Sequence, residues 1–162
     1  MPTTQQTTDL HLLLSPDCIC INLDAGTKRD LINRLVDLLD GHPSVSDLDA
    51  VREAVFAREE KMSTGVGKAL GLPHAKTDAV TDTLAAFARP ATPVAFDAID
   101  DAPVQLVFLL VGPPADKSQH IKILGRISRL ASRTAFRDRL LDAQTPDAVL
   151  ALLREGEARL EH

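Results

Sequence analysis

His74 directly follows Pro73, and upstream of that pair lie Arg58 and then the run Ser63-Thr64-Gly65-Val66-Gly67. The chemistry these residue types share is that of a phosphoryl group. An imidazole can attack through one ring nitrogen while the other is hydrogen-bonded, which yields a covalent phosphohistidine. Charge spread over phosphoryl oxygens calls for a guanidinium and fixed donors, and Arg58 is the nearest upstream candidate. Gly65 and Gly67 let backbone amides turn towards an anion with no Cβ in the way, and Ser63 and Thr64 add hydroxyl donors. A glycine-bearing loop is also a common turn, and a histidine after a proline is also an ordinary surface or hydrogen-bonded core residue; it is their succession that points to a phosphate. The G-x-x-x-x-G-K-[ST] spacing of a P-loop is missing, which disfavours a nucleotide. His120 is a second candidate. It follows the turn Gly112-Pro113-Pro114 at the start of a helical pattern, where unpaired amides and the positive end of the helix dipole suit an anion, and it reads equally well as a polar helix-start residue. His11, His42 and His162 have no such setting, and no pair among the five histidines has metal-ligand spacing.

These side chains must be delivered by elements whose patterns are visible around them. Val104 to Val111 is the clearest buried strand, bounded by Pro103 and Gly112-Pro113-Pro114. Short strands or extended segments are expected from Leu10 to Leu14, Cys18 to Leu23, Ala69 to Pro73 and Thr83 to Ala88, with a hairpin arm from Val94 to Ile99. Apolar residues at Leu31, Ile32, Leu35, Val36, Leu38 and Leu39 have the spacing of a core-facing helix that stops at Gly41-His42-Pro43. A second helix opens at Ser46-Asp47-Leu48-Asp49 and runs into Arg58-Glu59-Glu60-Lys61, so that Arg58 stands near its C-terminal end. A third carries Ile121, Leu124, Ile127 and Leu130 after His120, and a last one runs from Pro146 to about Leu153. Residues 1–8 read as a flexible tail and 9–162 as one α/β domain, a mixed β-sheet sandwiched between helices.

Composition narrows the partners. The 162 residues carry a formal net charge of −5 and only 3% aromatics, without the basic footprint and stacking platforms of a nucleic-acid binder. The longest apolar run, Leu106 to Val111, is far short of the roughly 20 residues that cross a bilayer, which leads to the expectation of a cytoplasmic protein with no direct membrane insertion. Cys18 and Cys20 are too few for a disulfide framework or a zinc site, and as i, i+2 neighbours on a strand they read as packing thiols.

The run Arg58-Glu59…Ser63-Thr64-Gly65-Val66-Gly67…Leu72-Pro73-His74, with Asp97-Ala98-Ile99-Asp100-Asp101-Ala102-Pro103-Val104, the strand Phe108-Leu109-Leu110-Val111 and His120-Ile121-Lys122-Ile123-Leu124, resembles the enzyme IIA domain of the bacterial phosphoenolpyruvate:sugar phosphotransferase system, of the fructose/mannitol and nitrogen-regulatory type. The resemblance spans roughly Leu10 to Leu153. It implies that His74 takes a phosphoryl group from the phosphocarrier protein HPr or its nitrogen-branch relative. His120 and Arg58 would complete the catalytic set, with Ser63, Thr64 and Gly65 as phosphate-binding residues. It implies in-line transfer that needs no metal and no cofactor, and onward delivery to a separate IIB/IIC permease for fructose-like sugar uptake. The alternative is a regulatory target protein, a kinase or ion transporter, bound according to phosphorylation state. An apolar depression with acidic surroundings is implied around His74, with Val66, Leu70, Leu72 and Phe108 as apolar candidates and Glu59, Asp78 and Asp82 as acidic ones. Lys68 and Lys76 oppose that charge. The sequence departs from the family wording at Lys68, Ala69 and Gly71, where Asn, Gly and Ala are usual, and this bears on loop shape and partner preference.

Overall fold

A computed structural model describes residues 8–160; the expected tail lies, but for Thr8, outside the described residues, as does His162. Strand β6 (Leu106–Gly112), buried at every position, is the centre of the sheet. On one side it pairs antiparallel with β5 (Leu84–Pro90), which in turn pairs parallel with β1 (Ile19–Leu23). On the other side two short strands follow each other along β6, both parallel to it. In β3 (Leu70–Gly71), Leu70 stands opposite Leu106; in β4 (His74–Lys76), His74 stands opposite Leu110. The outermost strand, β2 (Gly65–Gly67), is antiparallel to β3. β6 therefore acts as a ruler that holds the glycine-bearing hairpin at one end and His74 at the other.

Side-chain alternation along β6 divides the core into two layers. Val107, Leu109 and Val111, with Ala75 of β4, face α2 (Lys28–Asp37) and α3 (Leu48–Lys61). Leu106, Phe108 and Leu110 face α1 (Leu10–Leu13), α4 (Lys117–Ala131), α5 (Thr134–Asp142) and α6 (Pro146–Leu160). The expected mixed sheet between helices is the observed fold. Thr27 and Asp47 cap α2 and α3 by accepting hydrogen bonds from the amides of Asp30 and Ala50.

Several elements differ from expectation. Leu10 to Leu13 is not extended; it forms α1, because the buried Glu157 carboxylate of α6 accepts the amides of Leu10 (2.7 Å) and His11 (2.9 Å) and caps the turn from afar, and the chain is extended only at Leu14. Residues 94–99 form no hairpin arm, only a bridged pair, Val94 with Val104. Helix α5 has no legible apolar stripe, since Leu140 is its one fully buried residue, and α6 runs well past Leu153. Cys18 lies in a 3-10 turn and not on the strand; both thiols are free, and burial pushes the Cys20 thiol up, away from thiolate chemistry.

Candidate functional site

Strand β4 presents His74 and Lys76 on the α4 side of the sheet, since Ala75 between them is turned to the other core. Pro73 brings no N–H to the ladder and keeps Leu72 extended, and its carbonyl accepts the amide of Leu110 (3.1 Å). The Leu72 carbonyl is left to the imidazole, and His74 Nδ1 lies 2.7 Å from it. A carbonyl oxygen only accepts, so Nδ1 carries the proton. The lone pair is then on Nε2, and the ring is held in one tautomer. Burial is the main cause that lowers the His74 pKa below its ordinary value. The Leu72 carbonyl works against this, the charges of Arg58 and Lys76 lower it further, and Glu59 raises it. At neutral pH the ring is an uncharged nucleophile.

His120 is in the first turn of α4 and is 3% exposed. Its ring stands over the end of β6. A Cβ on Gly112 would meet Thr83 Oγ1 at 2.8 Å, too close for a real contact, and would touch His120 Nδ1 at 3.5 Å. The centroids of the His74 and His120 rings are 5.6 Å apart with planes tilted by 56°. Neither ring nitrogen of His120 has a hydrogen-bond partner among the described residues. Burial first, then the neighbouring His74 and Lys76, lower its pKa to about 4. A neutral imidazole with one N–H and one lone pair, both unused and beside a nucleophilic ring, is a donor awaiting an acceptor.

Arg58, near the C-terminal end of α3, donates to the carbonyl of Met62 (3.0 Å), and its charge reaches His74. Its neighbour Glu59 points inward. The Glu59 carboxylate accepts both the amide of Thr64 (2.7 Å) and its hydroxyl, and pairs with Lys28 Nζ at 2.9 Å. The Ser63 hydroxyl donates to the Phe96 carbonyl (2.7 Å) and accepts from the amide of Gly65 (3.0 Å). Ser63, Thr64 and Gly65 thus spend these polar groups on bracing the loop to α3 and to the 96–99 segment. Gly65 is a glycine for packing reasons as well, since a Cβ there would lie 2.8 Å from Ala98 Cα. Sequence reasoning treated Glu59 as a surface acid and so missed its role as anchor of the loop. Its position four residues before Ser63, in the last turn of a helix, offers no sign that it turns inward.

The apolar depression expected around His74 is not built from the residues named for it. Leu70, Leu72 and Phe108 are core residues with 2%, 5% and 2% exposure, whereas Val66 is exposed at 47%. Ile121, next to His120 in α4, is an exposed apolar side chain as well. Asp78 and Asp82 are exposed, and Asp82 accepts from the hydroxyls of Ser44 and Thr81. Lys68 and Ala69 occupy the two central positions of the β2–β3 hairpin with φ of +57° and +63°. The left-handed turn that Asn-Gly would favour is therefore kept with a less suitable pair.

In chemical terms, the constellation is a lone pair on His74 Nε2, an unused donor on His120 and an arginine acting on the nucleophile, an arrangement able to accept and hold a transferable anionic group. Comparison with known proteins gives the family. The family model for "Phosphoenolpyruvate-dependent sugar phosphotransferase system, EIIA 2" matches residues 12–156. A fructose-specific EIIA component from Haloferax volcanii is 38% identical over 148 residues, which is 91% of this chain and 96% of that one. A nitrogen regulatory protein from Pseudomonas aeruginosa is 31% identical over 144 residues, or 89% and 94%. Among solved structures, the nitrogen regulatory protein IIA-Ntr from Neisseria meningitidis superposes with a TM-score of 0.80 at 32% identity, covering 88% of this chain and 97% of that one. This chain belongs to the EIIA 2 family of the phosphoenolpyruvate-dependent sugar phosphotransferase system.

Proposed function

We propose that this protein is a phosphoryl carrier that accepts a phosphoryl group on His74 Nε2 from phospho-HPr or its nitrogen-branch relative and passes it to a IIB partner for uptake of a fructose-like sugar. The observation that carries this reading is the Nδ1 hydrogen bond to the Leu72 carbonyl, which leaves Nε2 as the only nucleophilic nitrogen of that ring, 5.6 Å between centroids from an unpartnered His120. In the transfer step the Nε2 lone pair forms the new N–P bond as the donor's N–P bond breaks, its electron pair returning to the donor nitrogen. The Nδ1 proton stays on His74. His120 donates its N–H to a phosphoryl oxygen, and Arg58 adds charge.

The test is incubation with phosphoenolpyruvate, enzyme I and the phosphocarrier. Wild-type protein gains one acid-labile, alkali-stable phosphoryl group, and His74→Ala gains none. An equivalent of phosphate on the alanine variant overturns the assignment.

A regulatory role, in which the phosphorylation state selects binding to a kinase or ion transporter, is the second reading. It is favoured by the likeness to proteins named nitrogen regulatory. Pull-down with unphosphorylated and phosphorylated protein, run beside a IIB transfer assay, separates the two.

A further inference from the structure

Lys76 ends β4 two residues beyond His74 and on the same face of the sheet. Strand geometry sets their Cα atoms about 6.6 Å apart. Its register partner on β6 is Gly112, the residue over which the His120 ring stands. The two imidazoles and the lysine therefore share one face at the end of two paired strands. Lys76 is exposed, and no carboxylate among the described residues forms an ion pair with it. A solvated strand-end lysine accounts for the exposure, but not for a charge that both rings feel. His74 faces Arg58, Glu59, Lys76 and His120, and His120 faces His74 and Lys76. Of the basic side chains, Lys76 is the one that acts on both.

We propose that Lys76 is a further catalytic residue: its ammonium contacts the phosphoryl oxygens when the group is seated between His74 and His120. This rests on His74 as the acceptor. A phosphoryl group carries about two negative charges spread over three oxygens, more than the single positive charge of one guanidinium beside a neutral imidazole offsets. A lysine contributes a compact point charge on a flexible stem, which follows the group from the donor nitrogen to Nε2 with no proton transferred. Burial is the main cause that keeps His120 in the neutral form that donates a single N–H, and the Lys76 charge works in the same direction.

Transfer from the phosphocarrier to wild type, Lys76→Met and Lys76→Arg tests this, together with NMR titration of both imidazoles in the unphosphorylated proteins. Lys76→Met is expected to slow transfer roughly ten- to hundred-fold, the loss that follows from one charged hydrogen bond. The His120 midpoint should rise from about 4 in that variant, and Lys76→Arg should restore most of the rate and the low midpoint. A Lys76→Met protein that transfers at the wild-type rate overturns the proposal, as does one that is slow with both midpoints unmoved and no rescue by arginine. Wild-type protein that takes up no phosphoryl group would defeat the reading of His74 itself, and the role of Lys76 with it. Wild-type transfer matched by Lys76→Met defeats only Lys76.

Discussion

The imidazoles of His74 and His120 stand 5.6 Å apart, one on a short strand that follows a proline and the other in the first turn of α4. The two rings differ in what holds them. His74 is tied through Nδ1 to the Leu72 carbonyl, whereas His120 is buried with both nitrogens unpaired. Leaving a buried polar group unsatisfied costs about 1–3 kcal/mol, and an anion arriving on the neighbouring ring would relieve that cost.

The burial of His120 makes acid stability a direct readout. Its folded pKa is about 4 against an ordinary 6.5, so between those values the unfolded chain binds a proton that the folded one does not. Stability from this group is full above about pH 6.5 and is lost as pH falls towards 4. Urea unfolding from pH 7 to pH 4 should show a loss on the order of 2 to 3 kcal/mol that His120→Phe removes. An unchanged pH dependence in that variant would place the acid sensitivity elsewhere. Phosphorylation of His74 brings negative charge beside the ring and should raise the His120 midpoint.

Glu59 is expected to matter through the loop it holds. Removing it in Glu59→Ala leaves Lys28 without its buried partner and the Thr64 amide and hydroxyl without their acceptor. The cost should be about 3 kcal/mol in chemical denaturation, with slower transfer because the backbone beyond Arg58 is no longer fixed. A variant as stable as wild type would show that the carboxylate does not brace the loop.

Much of this arrangement was legible in the sequence, for reasons that can be named. The strand Leu106–Gly112 is apolar on both faces because helices cover both, and such a run reads as a strand without help from its neighbours. Pro73-His74 and Arg58 were visible because residue type and order alone suggest their chemistry. Three other features depend on tertiary contact that no local pattern encodes. Helix α1 is four residues long and is capped by Glu157, 147 positions from Leu10, so propensity could not find it. Glu59 resembles any charged residue near a helix end until Lys28 and Thr64 are seen around it. Lys76 reads as a solvated charge until its register opposite Gly112 places it beside His120.

The β2–β3 turn offers a stabilisation remote from the chemistry. With Lys68 and Ala69 both at positive φ, Lys68→Asn together with Ala69→Gly should raise stability by about 1 to 2 kcal/mol. The hydrogen bond that the Lys68 amide donates to the Asp100 carboxylate (3.1 Å) is kept in the variant. The turn lies next to Gln105, whose amide donates to the Ala69 carbonyl, at the far end of β6 from His74, so the variant should still take up one phosphoryl group on His74. Thermal unfolding decides this, and a destabilised double variant would mean that the native side chains support the turn.

The most direct test of the account is the position of the phosphoryl group on the ring. Two-dimensional proton–nitrogen NMR of the protein, labelled at histidine and phosphorylated by the phosphocarrier, distinguishes Nε2 from Nδ1 attachment and His74 from His120. The hydrogen bond from His74 Nδ1 to the Leu72 carbonyl predicts a single phosphoryl group on His74 Nε2, with the Nδ1 proton retained. A phosphoryl group on Nδ1 of His74, or on His120, would contradict it.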